Sequence, residues 1–558
     1  MKRFLLLPLL FLSIVSFAQE FAWVKTAGYY ETDKGMRCAE DNQGNLIFAG
    51  SFTDSIKFGT SSLLKSNGKT DFYLLKTNAQ GENLWVVSGG GGTLSCEATA
   101  VDVDADNNIY IGGFFKDTLT IGTTEVYGYL DSNSDCFIAK FNTSGDLVWV
   151  KTFVGPLGDQ IEDLDVSGNA IYATGRYKST ISINGTEFSS EDANVGNGDN
   201  PFVVALDLNG STLWIDKVDT PSGFSRGVEV SADGKVNVVF ELKSSPYLRT
   251  VGTSNVQALK ISNSGSADGY IARLNPETGA MLWSNRMGST GSEMIYAITS
   301  DSESNVFVGG IYQSTVTLES TVTGTSATST SKGSFDIFLG KYDANGKLCW
   351  SDFEGTEKSD NVLSLAVNSN NHLYMVGYTL ADSIKLGDFA LKAPSATINS
   401  IIARYSPDGA ITWADMATSL SGSFYINSIA ITANNSLLFN GYYKGEGTFY
   451  DDTNLPNEFT TSNIVYARLS DPTVWVKPDV ADDLNIVVYP NPTSKQLYFN
   501  APDNSIVGRV RVVNLIGQEM INAVPQSNSI SVDGLPAGIY LVQFSIDGNV
   551  VTKKVIVK

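Results

Sequence analysis

Short apolar runs broken by polar turns rich in Asn, Asp and Gly recur along most of the chain. Runs such as Leu46-Ile47-Phe48-Ala49-Gly50, Ile109-Tyr110-Ile111-Gly112-Gly113, Val306-Phe307-Val308-Gly309-Gly310 and Leu373-Tyr374-Met375-Val376-Gly377 favour β-branched and aromatic residues and end at glycine. That pattern predicts strands. All eight tryptophans lie on one ladder: Trp23, Trp85, Trp149, Trp214, Trp283, Trp350, Trp413 and Trp475, at intervals of 62 to 69 residues. A fixed period of this length marks a repeat architecture.

Each interval carries four strand-like pieces. An apolar run comes first, as in Leu363-Ser364-Leu365-Ala366-Val367, then a polar turn, then the glycine-ended run. The third piece opens on Asp or Asn in all seven repeats: Asp71, Asp135, Asn200, Asp268, Asp336, Asn399 and Asn463. Five residues on stands a Lys or Arg (Lys76, Lys140, Arg273, Lys341, Arg404, Arg468), with Ala205 the exception. A turn such as Asn142-Thr143-Ser144-Gly145 leads into the tryptophan strand. Asx side chains start turns and glycine supplies positive φ. Four antiparallel strands repeated seven times predict an all-β fold, a seven-bladed β-propeller, because a four-stranded blade buries its faces only against neighbours in a ring. The tryptophans are expected at the seams between blades. The extra strand Phe21-Ala22-Trp23-Val24-Lys25 is expected to close the ring on the last blade, with Val474-Trp475-Val476 as the competing candidate.

This pattern resembles the seven-bladed β-propeller repeat family of bacterial exported proteins, over about residues 20 to 478. The fourth repeat departs most, because Val238-Val239-Phe240 lacks the glycine.

From Asp479 the pattern changes. An acidic linker (479–484) precedes short strands with turn signals, which predict a small immunoglobulin-like β-sandwich over 485–558. Tyr489-Pro490-Asn491-Pro492, Asn514-Leu515-Ile516-Gly517, Leu535-Pro536-Ala537-Gly538-Ile539-Tyr540 and the Lys553-Lys554 ending closely resemble the type A sorting domain of the Bacteroidota type IX secretion system. The resemblance implies the type IX machinery as partner, passage across the outer membrane, and secretion or display at the outer surface.

The start of the chain agrees with such a route. Met1-Lys2-Arg3, an apolar run from Phe4 to Val15 and Ser16-Phe17-Ala18 read as a signal peptide over 1–18, leaving a propeller over 19–478. No later apolar run is long enough to span a membrane. The net charge of −21 argues against a nucleic-acid partner. Four cysteines (Cys38, Cys96, Cys136, Cys349) without a CxxC pair read as buried free thiols. One histidine, His372, leaves no material for a histidine triad or a multi-histidine metal site.

Candidate chemistry is therefore sparse, and no catalytic set, cofactor or metal is expected. An acid recurs just before the first strand in four repeats, Asp33, Asp159, Glu293 and Asp360. On a ring these would surround the channel mouth, as a cation or polar-ligand site or, alternatively, as turn caps. Asp102-Val103-Asp104-Ala105-Asp106 has calcium-loop spacing but lacks the loop's glycine and its twelfth-position glutamate. Asp54-Ser55-Ile56, Asp117-Thr118-Leu119 and Asp382-Ser383-Ile384 resemble the O-glycosylation sites of Bacteroidota exported proteins. Leu274 to Trp283 is similar to quinone-cofactor propeller repeats, but no second such motif or adjacent cysteine pair accompanies it. The long loops between second and third strands, such as 55–70 and 317–334, are expected to raise a rim on one face. The function these features suggest is binding of a glycan or protein without chemistry. The alternatives are an extracellular enzyme acting on polysaccharide through rim carboxylates, and a structural surface component.

Overall fold

The protein is described from a computed structural model covering residues 23–28, 31–91, 94–129, 133–190, 198–243, 246–253, 256–259, 267–395, 397–420, 422–450, 454–455, 462–469, 487–500, 507–514, 519–525, 528–546 and 549–558. The signal peptide expected over 1–18, the linker over 479–484 and Trp475 lie outside these residues. All regular structure among the described residues is strand. The chain divides into two compact units, Met1–Asp471 and Pro472–Lys558.

In the first unit, runs of four successive antiparallel strands follow one another. Their first strands are Lys34–Glu40, Glu97–Val103, Gln160–Ser167, Gly223–Val230, Glu293–Ser300, Asp360–Val367 and Phe424–Ile431. Each first strand touches the next, and the last touches the first, so they form a closed cycle. The seventh sheet is completed by the N-terminal strand. Trp23–Gly28 pairs with Asn463–Leu469, with Trp23 opposite Arg468 and Ala27 opposite Ile464.

Every first strand carries a β-bulge at one position, between residues such as Gly35 and Arg37 or Val362 and Ser364. The bulge explains the glycine that ends the second run. A Cβ at Gly50, Gly113, Gly175, Gly310, Gly377 or Gly441 would lie within 2.4 Å of a first-strand carbonyl oxygen. The fourth sheet, which lacks the glycine, still forms its second strand over Val236–Leu242, pairs it without a bulge to Asp268–Leu274, and carries glycines Gly223 and Gly227 on the facing first strand.

The tryptophan motif also has a reciprocal cause. Gly81, Gly145, Gly346 and Gly409 sit at positive φ in the turn before the fourth strand. At each, an added Cβ would lie within 3 Å of the tryptophan ring of the preceding sheet: Trp23, Trp85, Trp283 and Trp350 respectively. The indole N–H donates to a carbonyl of that same turn, for example Trp149 to Leu208 at 3.2 Å and Trp214 to Pro276 at 2.7 Å. The rings therefore do sit at seams, most of them half-buried and Trp214 fully buried.

In four sheets the Lys or Arg of the third strand reaches a carboxylate of the first turn. Lys76 meets Asp41 at 2.8 Å, Lys140 meets Asp104 at 3.5 Å, Arg273 meets Asp233 at 2.5 Å and Lys341 meets Asp301 at 3.1 Å. At the exception, Ala205, the corresponding turn is a short Ser167-Gly168-Asn169 without a carboxylate. Where the first turn has no carboxylate the cation finds neutral acceptors instead, Arg404 on the Thr412 hydroxyl at 2.8 Å and Arg468 on the Asn434 amide oxygen at 2.9 Å.

Two expectations change. The long loops do not simply form a free rim. Most of them fold into hairpins that pair onto the end of the preceding sheet's fourth strand, as Thr118–Ile121 does on Asn83–Gly90 and Tyr247–Thr250 on Thr212–Asp219. An unpaired outer edge invites intermolecular pairing, and these hairpins cover part of it. Asp54 and Asp117 open such inserts at positive φ, and Ser55 is buried. Second, three of the cysteines are buried and free, but Cys349 is exposed, because it precedes Trp350 on the outward face of its strand.

The second unit has two sheets. Val487–Tyr489, Gln496–Asn500 and Ser529–Ser531 make one, and Glu519–Ala523, Val507–Asn514, Gly538–Ile546 and Asn549–Val557 the other. Leu497 and Phe499 from the first share a core with Val510, Val542, Phe544 and Val555 from the second.

Candidate functional site

The seven first strands surround an axial cavity of about 210 Å³. Because their bulges coincide, equivalent residues form layers around it. One layer holds Arg37, Asp163, Gly227, Ala297 and Ser364, and a second, two residues further along the strands, holds Asp102, Asp165 and Glu229. At the bulges themselves stand Arg226, Tyr296 and Leu363.

The cavity acids have structural work. Each accepts a main-chain N–H from the next first strand: Val166 to Asp102 at 2.6 Å, Val228 to Asp163 at 3.1 Å, Val230 to Asp165 at 2.8 Å and Ser300 to Glu229 at 3.0 Å. Hydroxyls continue the series, with Ile429 donating to Ser364 at 3.2 Å and Cys38 to Ser428 at 3.3 Å. These bonds run in one sense around the ring and tie five of the seven neighbouring sheet pairs. Burial pushes Asp102 and Glu229 up to about 7, raises Asp163, and raises Asp165 well above the carboxylate range, with neighbouring carboxylates adding to the effect at Asp165. Arg37 beside Asp163 and Arg226, paired with Glu241 at 3.3 Å, are the nearby cations.

The four acids singled out from the sequence lie elsewhere. Asp33, Asp159, Glu293 and Asp360 are fully buried and none lines the cavity. Each begins a first strand at the joint with the preceding sheet. Their main-chain N–H groups donate to Ser462, Ser134, Ala267 and Phe335 at 2.7–3.3 Å. Their carboxyls accept from loop donors: Thr53 N–H to Asp33 at 3.3 Å, Lys178 N–H to Asp159 at 3.1 Å, the Ser289 hydroxyl to Glu293, and Thr356 N–H to Asp360 at 2.6 Å. Burial pushes Asp159 up to about 8 and Glu293 to about 7, and raises Asp360. Asp135, Asp268 and Asp336, the third-strand openers of the preceding sheets, add to these shifts.

The calcium-loop spacing does not assemble a site. Asp104 accepts from Asn108, Tyr110 and Lys140, whereas Asp102 faces the cavity. Among the described residues no group of three or more His, Cys, Asp or Glu is arranged to hold a metal ion. The cavity acids Asp165 and Glu229 were not singled out from the sequence. The signal that finds them is an acid at one strand position in three consecutive repeats, Asp102, Asp165 and Glu229.

Comparison with known proteins bears on the C-terminal unit first. Residues 487–558 match the family model of the secretion system C-terminal sorting domain. The protein is therefore secreted or held at the cell surface. The partner that this domain implies is the type IX secretion machinery. An uncharacterised WD repeat-containing protein of Acanthamoeba polyphaga mimivirus is 25% identical over 424 residues, 64% of this chain and 30% of that protein. The regulatory protein FlaEY of Caulobacter vibrioides is 21% identical over 489 residues, 74% of this chain and 48% of that protein. The chain thus spans less than half the length of either relative. Among solved structures, PorZ, a surface component of the type IX secretion system of Porphyromonas gingivalis, aligns over 94% of this chain and 81% of its own at 10% identity, with a TM-score of 0.23. No helix of the described residues is long and apolar enough to cross a membrane.

Proposed function

We propose that residues 19–478 form a seven-bladed β-propeller that binds an extracellular glycan or protein at its channel mouth without catalysis. In this reading residues 1–18 are a signal peptide, 479–484 a linker, and 485–558 an immunoglobulin-like sandwich that delivers the propeller to the type IX machinery. The carrying observation is the division of labour in the cavity. Its acids already hold main-chain donors across the blade seams, so they serve as ties. The residues that line the cavity at the bulges are the kind that contact ligands, including Arg226 and Tyr296. Asp33, Asp159, Glu293 and Asp360 belong to the same framework, as joints between blades.

One observation favours an enzyme instead: Asp102 and Glu229, pushed up to about 7, have the range of a general acid or base. A binding screen of the purified protein against arrayed glycans and outer-surface proteins, run beside a polysaccharide hydrolysis assay, separates the two. Retention without cleavage is expected. Released oligosaccharide that disappears in Glu229→Gln would establish the enzyme.

The delivery half of the proposal has its own test. A chain ending at residue 478 is expected to fold and to accumulate in the periplasm, because the two units have separate cores. Cell fractionation measures this. Normal extracellular levels of the truncated chain would refute the delivery role.

A further inference from the structure

We propose that one side of the channel mouth is a subsite for a neutral pyranose chain, built from Tyr296, Tyr378, Tyr425 and Tyr442. This rests on the binding reading above and names the ligand class. Tyr425 stacks on Tyr442 with ring centroids 4.9 Å apart, and Tyr378 stands edge-on to Tyr425 at 5.4 Å. Asn361, only 8% exposed, donates its amide to the Tyr378 hydroxyl at 3.2 Å and lies close enough to the Tyr296 phenol to act on it electrostatically. Its amide oxygen has no partner. Arg226 lies over the Tyr296 ring at 5.4 Å and over Phe224 at 4.8 Å, so the wall runs from the cavity rim across four adjacent sheets. All four tyrosines are half-buried.

The fold does not require aromatic residues there. The strand pair that carries Tyr425 opposite Tyr442 in the seventh sheet carries Lys34 opposite Ser51 in the first, Glu97 opposite Phe114 in the second and Gln160 opposite Arg176 in the third. Those three sheets close with polar or charged side chains at most of these places. Three tyrosines at equivalent places in the sixth and seventh sheets, joined to Tyr296 of the fifth, are thus a local addition to the repeat.

The composition of the wall selects the ligand. Aromatic faces take the C–H faces of a pyranose ring, and phenol, amide and guanidinium groups bond its hydroxyls. An anionic polymer would meet a chain of net charge −21. A cationic ligand would meet the Arg226 guanidinium already seated on the ring. A neutral sugar incurs neither repulsion.

The test titrates the full exported chain with neutral hexasaccharides of glucose, xylose, mannose and N-acetylglucosamine by calorimetry, beside Tyr378→Ala and Tyr425→Ala. At least one sugar is expected to bind, and each variant to bind it about tenfold more weakly or worse, the size of one lost ring contact. Unchanged melting of the variants shows that they fold. Should either fail to fold, saturation transfer from aromatic ring protons of the parent chain to sugar C–H protons is the second readout, expected to be positive. Equal binding by parent and variants, or no saturation transfer, overturns the subsite while leaving the binding function standing. Binding of proteins or charged glycans with no neutral sugar bound overturns the ligand class alone. No binding to anything in either screen overturns both.

Discussion

The purified protein is expected to be most stable near pH 5 and to melt at progressively lower temperature as pH rises toward 8. The cause is a set of carboxyls that the fold keeps protonated. Burial pushes Asp159 up to about 8, Glu293, Asp216, Asp102 and Glu229 to about 7, and Asp135 to about 6. In the unfolded chain such groups ionise near pH 4. A carboxyl whose folded value is raised stabilises the fold fully below its unfolded value. That contribution is lost as pH climbs through the folded value. The window is therefore about pH 4 to 8, and for Asp159 alone the change is on the order of a few kcal/mol. Its charged surroundings do not offset this. Asp135 accepts from Gly155 N–H at 3.1 Å in the same joint, and Arg176 is already engaged by Glu162 at 3.0 Å and Asp199 at 2.6 Å. On the acid side the sign reverses. Although burial opposes it, Lys76 and Asn45 hold Asp41 below its ordinary value, so stability that depends on its charge fails as pH falls. Calorimetric melting from pH 4 to 9 measures the profile. Asp159→Asn keeps an acceptor for Lys178 N–H, so it should melt above the parent at pH 8 and close to it at pH 5. A melting temperature that is flat or rising between pH 5 and 8 would contradict the prediction.

What could be read in the sequence was whatever a repeat states within itself. The tryptophan ladder, the Asp/Asn opener, the following Lys or Arg and the turn glycine all lie inside one period, so their spacing shows them directly. What they touch lies in the next period. Gly81 needs its open face because Trp23 of the preceding sheet covers it, a relation between residues in different repeats. The insert hairpins were read as a rim for the same reason, since the edge that Thr118–Ile121 covers belongs to the previous sheet. Asp33, Asp159, Glu293 and Asp360 stood out by their phase, but phase alone does not say whether a side chain faces the axis or the joint. Asp165 and Glu229 escaped notice because a local search looks for clustered acids. Only a closed ring brings acids a full repeat apart onto one cavity wall. The tyrosine wall is harder still, because its members occupy different strands of four sheets and share no spacing.

Ring closure shows the longest such relation, and it supports the other large prediction. A chain that begins at residue 31 instead of residue 19 is expected to lose cooperative unfolding or to melt far below the parent. Trp23–Gly28 is the only described strand contributed to the seventh sheet from the far end of the chain. Its removal breaks a ladder in which Trp23, Val24, Lys25, Thr26 and Ala27 face residues 464–468. It also breaks the pairing of Ala27 and Gly28 with Phe58 and Lys57 of the first sheet. Ile464 and Tyr466, now fully buried, would come to an open edge, and the turn at Gly81 would lose the indole that covers it and donates to Ala79 at 3.0 Å. At about 1 kcal/mol net for each main-chain bond and about 3 kcal/mol for a half-buried tryptophan, the loss is a large share of the ~5–15 kcal/mol that stabilises a typical domain. Because the missing piece is one strand, it can be returned as a peptide. Residues 19–30 added to the shortened chain should raise its melting temperature in a concentration-dependent way, as strand addition to an open edge does. The same peptide carrying Trp23→Ala should rescue less, since it restores the ladder but leaves Gly81 uncovered. If the shortened chain melts within ~3 °C of the parent, the N-terminal strand does not close the ring.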